Sequence, residues 1–363
     1  MNDSPGPFPT LHNIIKAARE KLDDNVWDYL IGGADTETTV KRNRRALDCW
    51  AFRPRVLNDV SSVDVSGALL GRDLRLPVIL APIGSLQDLQ PEGGVASAKA
   101  AAEFGTLQML SSVCAPGLEK VAEAAGGDNL IFQLYVRGDD AWVDDHATRA
   151  MDQGYRGFCM TVDLDYYGRR ERDKAKGHLS TSRRTMATTS SEEFQKQLNW
   201  DKVKRFKDTH DIPLVLKGIA TAEDAARAVK VGVDGVYVSN HGGRQLDHGR
   251  GGLDVLPEVV KAVSGKAEII FDGGIMRGTD MVKAKILGAD VVSIGRLQGF
   301  GAAAAGQAGV ERVLELLEEE VRICLGLLGV TGFASLDETY LHPEEAVTDP
   351  HVLSAFPLIA EGY

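Results

Sequence analysis

Eight short runs of apolar residues recur along the middle of the chain, and each is followed by a segment with helical spacing. The runs are continuously apolar rather than alternating, which is typical of parallel strands buried on both faces. They span residues 76–84, 106–112, 129–136, 157–163, 213–218, 235–240, 268–274 and 291–296. Eight regular strand–helix units predict an α/β fold, a (β/α)8 TIM barrel. An open, doubly wound sheet is the alternative.

The segments between the runs carry helix signals and helix stops. VASAKAAAEF and TAEDAARAVKVG are rich in alanine, and apolar residues at helical spacing extend from Leu253 to Val263. Glycine stands where four of these helices must end before the next strand, at Gly105, Gly154, Gly232 and Gly288. These signals agree with a barrel of alternating strands and helices.

Three regions fall outside the repeat. They are an N-terminal helical extension (1–75), a long polar loop after the fourth strand (164–200), and a C-terminal helix and tail (301–363). No change in composition separates them from the barrel at 76–300. The sequence therefore predicts a single domain over residues 1–363.

Local patterns describe these regions further. The extension has helix signals at Leu11–Lys21 and Asp24–Leu30, and the C-terminal helix has one apolar face between Val313 and Leu328. The polar loop contains GHLSTSRRTMATTSSEE, which is too polar for a core. We therefore expect this loop to be mobile or disordered.

Composition excludes several classes of protein. A net charge of −11 argues against a nucleic-acid binder, and no run approaches ~18 consecutive apolar residues, so no membrane span is expected. The N-terminal MNDSPGPFPT has no signal-peptide pattern. The four cysteines lie far apart without a CxxC pair, which favours core positions over disulfides or a metal site. We expect a cytoplasmic protein that binds no metal, membrane or nucleic acid.

Hydrogen-bonding groups or glycines end every predicted strand. In strand order they are Pro82 to Gly84; Ser111 and Ser112; Gln133 and Tyr135; Thr161 and Asp163; Lys217; Ser239 to His241; Asp272 to Gly274; and Gly295 with Arg296. Barrel enzymes place their active sites at the carboxyl ends of the strands. A purely structural barrel needs only caps and turns there, so the pattern predicts an active site.

The last two strands carry the pattern of a phosphate site. DGGIMRG follows the seventh strand and IGR ends the eighth, so glycine amides and Arg296 could approach an anion. The loops after these two strands commonly bind phosphate in a barrel of this kind. The pair therefore favours a phosphate-bearing ligand over two ordinary turns.

Lys217 closes the apolar run PLVLK. Burying an ammonium group is costly unless it faces an anion or reacts as an amine. Three interpretations follow: the head extends into solvent, it is the charge partner of an electron-rich cofactor, or it forms a Schiff base.

His241 begins the run HGGRQLD after the sixth strand. Gly242 and Gly243 would let a substrate approach closely, and Arg244 would place a guanidinium beside the imidazole. A base beside a carboxylate-binding group suits removal of a proton from a hydroxy acid. Asp163 could orient His241 and stabilise its protonated form. A hydrogen-bonded histidine in a capping loop is the structural alternative.

The run SNHGGRQLD resembles the FMN-dependent 2-hydroxy acid oxidase and dehydrogenase family, which includes glycolate oxidase, lactate oxidase and mandelate dehydrogenase. The likeness extends over residues 12–330, where VWDYLIGGADTETT, FRPRVL, LPVILAPIG, PEGGVASAKAA, FQLYV, LVLKGI, FDGGIMRGTD and IGR occur in the family's order. The resemblance implies oxidation of an (S)-2-hydroxy acid to the 2-oxo acid, with electrons passing through FMN to oxygen or another acceptor. It also implies a homo-oligomer, as a homotetramer.

The resemblance assigns roles to the strand ends. The residues implied to act on the substrate are His241 as the base, Asp163 as its partner, Tyr135 at the substrate hydroxyl, and Arg170, Arg244 and Tyr29 at the carboxylate. Those implied to bind FMN are Pro82, Ile83 and Gly84 near flavin N5, Lys217 near its N1–C2=O end, Ser111, Gln133, Thr161 and Ser239 at the ring and ribityl chain, and Asp272, Gly273, Gly274, Gly295 and Arg296 at the ribityl chain and phosphate. His241 would take either the hydroxyl proton or the α-proton.

Two departures from the family pattern bear on ligand binding. The family's first arginine after DGG is Met276 here, so one phosphate-binding cation is missing or is replaced by Arg277. The tryptophan common in glycolate oxidases after the second strand is Val113. Val113 predicts space for a substrate bulkier than glycolate, unless Tyr166 and Tyr167 fill it.

Two other functions fit the same barrel. One is flavin-dependent modification of a peptide or another bulky substrate, which some relatives of the family perform. The other is a flavin-free lyase or aldolase that uses Lys217 as a Schiff-base amine.

Overall fold

The eight apolar runs form eight parallel strands that close into a barrel, as predicted. The computed structural model describes residues 8–187 and 192–362. Their strands are β1 Trp50–Phe52, β2 Gly67–Leu69, β3 Arg72–Leu74, β4 Val78–Leu80, β5 Leu107–Ser111, β6 Leu130–Leu134, β7 Gly157–Thr161, β8 Leu214–Ile219, β9 Gly235–Val238, β10 Glu268–Phe271, β11 Val291–Ile294 and β12 Leu341–Pro343. Strands β4 to β11 form the barrel, which closes where β11 pairs with β4. The alternative of an open, doubly wound sheet is wrong.

Helices surround the barrel and fill the extensions. They are α1 Leu11–Lys21, α2 Asp24–Ile31, α3 Thr38–Asp48, α4 Leu86–Leu89, α5 Gly94–Phe104, α6 Leu118–Ala125, α7 Asp140–Asp152, α8 Glu171–Ala175, α9 Thr181–Ala187, α10 Glu192–Lys196, α11 Trp200–Thr209, α12 Ala222–Val231, α13 Gly252–Val263, α14 Gly278–Ile286 and α15 Arg296–Leu328. The two helices predicted in the extension are α1 and α2. Gly105 and Gly232 end α5 and α12 with left-handed backbone (φ +89° and +87°), which confirms the predicted stops.

The hairpin of β2 and β3 closes the amino end of the barrel. Its Leu69 and Leu74 lie in one buried cluster with residues that point into the barrel, including Ile79 and Ile131. The backbone N–H of Leu70 donates to Glu268 Oε2 at 2.7 Å, at the start of β10. The carboxyl ends of the strands therefore form the mouth that a ligand can enter.

The C-terminal helix is α15, and it begins earlier than the sequence predicts, at Arg296. Its backbone breaks at Ala305 and Gly306, where Gly306 has a φ of +62°. The predicted apolar face between Val313 and Leu328 is buried, as expected. In the tail, β12 pairs with β1 of the N-terminal extension.

The segment 164–200 is the main error of the sequence-based description. Much of its described part is helical, in α8, α9, α10 and the start of α11, so the expectation of disorder is wrong for those helices, and mobility stays a prediction. Gln195 explains the order: its Oε1 accepts from Val136 N at 2.7 Å and its Nε2 donates to Thr161 O at 3.0 Å. The polar side chains satisfy backbone groups just beyond β6 and at the end of β7, which polarity alone does not predict.

Some expectations concern features that the structure describes only in part. Residues 1–7, which belong to the predicted extension and to the sequence examined for a signal peptide, and residues 188–191 of the polar loop lie outside the described residues. Within 8–187 and 192–362, no helix is long and apolar enough to cross a membrane. The same ranges hold no group of three or more His, Cys, Asp or Glu side chains arranged for a metal. Cys114, Cys159 and Cys324 are buried free thiols, and Cys49 is half-buried.

Candidate active site

The carboxyl ends of the barrel strands surround a cleft that opens to solvent. Barrel enzymes bind their ligands at this face. Most of the predicted site residues line it: Tyr29, Pro82, Ile83, Gly84, Tyr135, Arg170, Lys217, His241, Arg244, Asp272, Gly273, Gly274, Gly295 and Arg296. Asp163, Ser111, Gln133, Thr161 and Ser239 do not line the cleft, and the last four are buried at the strand ends.

His241 is held between Asp163 and Tyr135. Its Nδ1 lies 3.0 Å from Asp163 Oδ1, and its Nε2 lies 3.3 Å from the Tyr135 hydroxyl. Burial alone would raise the pKa of Asp163, but the hydrogen bond from His241 and the charge of Lys217 lower it. The ionised carboxylate accepts a hydrogen bond from Nδ1–H, which keeps the ring proton on Nδ1 and leaves the Nε2 lone pair on the side of Tyr135.

The protonation states of His241 and Tyr135 suit a base and a hydrogen-bond donor, respectively. Burial and the charge of Lys217 lower the pKa of His241, although Asp163 acts in the opposite direction. His241 is therefore neutral near pH 7. Burial and the nearby Asp163 raise the pKa of Tyr135 above its ordinary value, so its hydroxyl stays protonated and can donate.

Backbone conformation explains how His241 reaches this position. His241, Gly242 and Gly243 have φ of +58°, +63° and +75°, a left-handed run that is uncommon for a residue other than glycine. The N–H of His241 donates to Ser239 Oγ at 3.0 Å, and Gly243 N donates to Asn240 O at 3.0 Å. Strain of this kind persists only where the surroundings impose it and is frequent at active sites.

Gly218 is a positioning residue that the sequence interpretation missed. It has a φ of +114°, and a Cβ there would lie 2.7 Å from the Cβ of Asp163. The pairing of β8 with β9 shifts register between Lys217 and Ile219, around this glycine. Only glycine allows Asp163 to pack here. The motif LVLKGI contains the signal, because its glycine directly follows the polar strand end.

The state of His241 predicts a pH dependence. We expect kcat/KM to be constant above about pH 7 and to fall below pH 6.5, because the neutral imidazole is the active form and burial lowers its pKa. Steady-state rates between about pH 5 and 8 measure this acid limb. Asp163→Asn is the matched variant: it removes a charge that raises the pKa, so its limb moves to lower pH. An acid limb centred above pH 7 would contradict the assignment.

Three arginines, one buried and two half-buried, face the cleft without an acidic partner. Among the residues that the structure describes, Arg170, Arg244 and Arg296 form no ion pair. Burial lowers the pKa of Arg296 to about 9, and the charge of Arg244 adds to the effect. Burial and the charge of Arg170 likewise lower the pKa of Arg244. Clustered cations without carboxylates are the signature of a site for anions.

The carbonyl end of α2 orients two of these arginines. Arg244 donates through Nη1 to the backbone oxygens of Tyr29 at 2.7 Å and Gly32 at 2.8 Å. Arg296 donates to the oxygens of Ile31, Gly32 and Gly242. The N-terminal extension thus provides part of the wall of the anion site.

Buried polar atoms test whether the cleft suits the FMN that the resemblance implies. Gln133 Oε1, Asp272 Oδ1 and Ser293 Oγ are buried, and none of them has a partner in the described protein. Ser293 was not predicted from the sequence. Unpaired acceptors and donors beside a cleft are satisfied by a ligand rich in polar groups. A flavin ring with a ribityl chain supplies such groups, so these residues fit FMN.

The residues at the predicted phosphate end of the cleft also fit FMN. Gly273 and Gly274 have φ of +119° and +95°, which only glycine adopts readily, and they line the cleft together with Arg296. Met276 also lines the cleft, whereas Arg277 forms an ion pair with Glu320 at 2.6 Å. The possibility that Arg277 replaces the missing cation is therefore wrong, because α15 engages its guanidinium.

Lys217 is 3% exposed and donates to Ser239 Oγ at 3.2 Å. The interpretation with its ammonium in solvent is therefore wrong. A buried ammonium on the cleft wall instead suits a charge partner for an electron-rich ligand.

An apolar cluster that the sequence interpretation mostly missed lines one side of the cleft. Val113, Tyr135, Leu164 and Met186 pack together, with Tyr167 against them. Met186 and Ser182 come from α9, in the segment expected to be disordered. Ser182 N donates to Ser85 Oγ at 3.0 Å, which holds α9 at the cleft. Of the two tyrosines that could fill the space beside Val113, Tyr167 packs against this cluster, whereas Tyr166 is exposed.

Fold and site together define the class: a (β/α)8 barrel enzyme with a histidine–aspartate pair beside a site for anions and a phosphate-bearing cofactor. Comparisons with known proteins agree. The model of the FMN-dependent dehydrogenase family matches residues 18–343. The chain is 38% identical to L-lactate oxidase of Nostoc sp. over 90% of this chain and 95% of that protein. It is 39% identical to 4-hydroxymandelate oxidase of Amycolatopsis orientalis, over 89% and 95%.

A solved structure and a further sequence relative belong to the same family. The crystal structure of mandelate oxidase is 37% identical and has a TM-score of 0.86, covering 94% of this chain and all of that one. Glycolate oxidase 3 of Arabidopsis thaliana is 36% identical over 94% of this chain and 97% of that protein. This chain belongs to the FMN-dependent dehydrogenase family. It is an FMN-dependent oxidoreductase of the 2-hydroxy acid oxidase type.

Proposed function

We propose that the protein oxidises an (S)-2-hydroxy acid with a side chain larger than that of glycolate, and that His241 is the base. One observation carries the proposal: His241 Nε2, kept neutral by burial, lines the same cleft as two unpaired guanidiniums, Arg170 and Arg244. A carboxylate bound by these arginines brings the neighbouring hydroxyl carbon of a 2-hydroxy acid close to the base.

Each side chain has a distinct task in this proposal. Arg170 and Arg244 hold the substrate carboxylate, and the Tyr29 hydroxyl adds a hydrogen bond. Tyr135 donates to the substrate hydroxyl, and His241 accepts a substrate proton at Nε2. Asp163 stabilises the imidazolium that results, because its carboxylate already accepts from Nδ1.

The cofactor supplies the redox chemistry. When bound, FMN would supply the acceptor for the two electrons of the hydroxy acid and their route to oxygen or another acceptor. The residues that would hold it are Pro82, Ile83, Gly84, Ser111, Gln133, Thr161, Lys217, Ser239, Asp272, Gly273, Gly274, Gly295 and Arg296. Lys217 would stabilise negative charge on the ring through its buried ammonium.

No observation favours the other two functions. Peptide modification has no support among the relatives, which are oxidases of small hydroxy acids by name. A Schiff base at Lys217 does not require FMN, which this family uses. Cytoplasmic location and assembly as a homo-oligomer stay predictions, which rest on composition and on the family resemblance.

A substrate panel tests the proposal. We expect (S)-mandelate or longer (S)-2-hydroxy acids to have a higher kcat/KM than glycolate, because the cluster around Val113 offers apolar contacts to a side chain that glycolate lacks. An added methylene in such a pocket is worth roughly 1–3 kcal/mol. Anaerobic bleaching of the flavin absorbance measures reduction by each acid. Absence of bleaching by every 2-hydroxy acid would overturn the function, and glycolate as the best substrate would overturn the size argument.

Val113→Trp is the matched variant. The indole would occupy the space beside Leu164 and Met186, so kcat/KM for the larger acids should fall by about tenfold or more. Turnover of glycolate should change less, because glycolate places no side chain there. Equal losses for all acids would show that Val113 does not border the substrate side chain.

A further inference from the structure

A second, much smaller cavity adjoins the cleft. Tyr135, Leu164, Tyr167 and Met186 line both, so part of the apolar cluster is the partition between them. We call the second space the side cavity. Methionine is the most adaptable apolar side chain, so Met186 is a partition that a substrate side chain can displace.

Arg137 lines the side cavity and is unpaired. Its Nε is buried without a partner, and in the described ranges its guanidinium makes no hydrogen bond or ion pair. The Trp142 ring lies 5.9 Å from the guanidinium carbon, at the outer limit of a cation–π contact. Burial lowers the pKa of Arg137, with no carboxylate to compensate.

Arg183 offers a contrast within the same cavity. Its guanidinium pairs with Glu192 at 3.2 Å and lies 4.0 Å from the Tyr167 ring centre. The protein thus pairs one cation of the side cavity with Glu192, and the cavity's other carboxylate, Asp165, forms an ion pair with neither guanidinium among the described residues. A half-buried, unpaired guanidinium is costly unless a ligand supplies the anion.

The chain direction places Arg137 beyond Tyr135. The two residues are separated by one position just after β6, and both line the side cavity. Residues two positions apart lie at most roughly 7 Å from each other along the chain, because fully extended backbone advances about 3.3–3.6 Å per residue. A substrate held at the Tyr135 hydroxyl therefore needs a side chain of several carbons to reach Arg137.

We propose that the side cavity binds the far end of the substrate side chain, and that Arg137 there binds a terminal carboxylate. The inference rests on the proposed function and names the substrate class: 2-hydroxy acids with a second carboxylate at the end of the chain. A neutral chain of the same length would fill the cavity but leave the guanidinium unpaired.

Matched pairs of acids test the inference. The pairs are 2-hydroxyglutarate with 2-hydroxypentanoate, and 2-hydroxyadipate with 2-hydroxyhexanoate, each as the (S) form. For the wild-type enzyme we expect kcat/KM about 10- to 100-fold higher for the dicarboxylate of at least one pair, as expected for a hydrogen bond to a charged group. Arg137→Gln should abolish that preference and leave the rate with the neutral partner within a few-fold. Arg137→Lys should retain part of it.

Arg183→Gln is the control variant, because it also removes a cation of the side cavity but one that is already paired. It should keep the preference. Equal wild-type rates within both pairs would overturn the inference, and so would a preference that survives Arg137→Gln. Turnover of the neutral acids would still support the proposed function in either case. If no acid bleaches the flavin, the proposed function and the inference about Arg137 are both overturned. FMN content and the unfolding temperature show whether a variant is folded, and competitive inhibition of wild-type enzyme by glutarate against pentanoate tests the site without any variant.

Discussion

Replacing His241 with glutamine is expected to slow reduction of bound FMN by about 10²–10⁴-fold, the usual contribution of a general base. Glutamine can still accept a hydrogen bond from Tyr135, but it cannot take up a proton at pH 7. FMN should stay bound, because the unpaired polar atoms of the cleft and the Gly273–Gly274 turn do not involve the imidazole. Anaerobic stopped-flow measurement of flavin bleaching gives the rate, and the released chromophore gives the FMN content.

His248→Gln is the control for this variant. His248 lies on the same loop but is largely exposed, and it does not line the cleft. Its reduction rate should equal that of the wild type. A near-normal rate for His241→Gln would disprove the assignment of the base.

Arg244→Lys is expected to raise the KM for the hydroxy acid by about 10- to 100-fold, with a smaller change in the rate of reduction at saturation. Arginine can donate to the Tyr29 and Gly32 carbonyls through Nη1 and present its other N–H groups to a carboxylate. A lysine ammonium cannot do both in this fixed geometry. Reduction rates measured over a range of substrate concentrations separate the two constants.

Arg250→Lys is the matched control, since Arg250 follows on the same loop but pairs with Glu258 away from the cleft. Its KM should be unchanged. An Arg244→Lys enzyme with normal KM and reduced kcat would mean that Arg244 acts on the reaction rather than on carboxylate binding.

The barrel and the mouth of the site were predictable from sequence because they follow from short patterns. A strand buried on both faces is continuously apolar, so the first polar residue lies at or near its carboxyl end, as Thr161 and Lys217 do. In a closed parallel barrel all these ends meet. Knowing that each run was a strand was therefore enough to bring His241 and Asp163 together.

The missed residues depend on contacts between distant parts of the chain. Met186 belongs to a segment whose composition indicates a loop, and it is buried because Ser182 and Gln195 bond to Ser85 and Thr161. No local pattern announces such bonds. The sequence likewise does not predict a role for Arg137, because an arginine after a strand is ordinary. Only the cavity beside it shows that its guanidinium lacks a partner.

The hairpin at the amino end of the barrel limits how far this enzyme can be simplified. Leu69 and Leu74 cover apolar side chains that would otherwise face water inside the ring of strands. The same extension supplies the Tyr29 and Gly32 carbonyls that orient Arg244. An enzyme truncated to the eight barrel strands and their helices would therefore lose the hairpin that covers the barrel interior. It would also lose the carbonyls that orient Arg244. Engineering of this scaffold has to treat the leading segment as structural, and to seek new specificity by changing α9 and its neighbours at the opposite end.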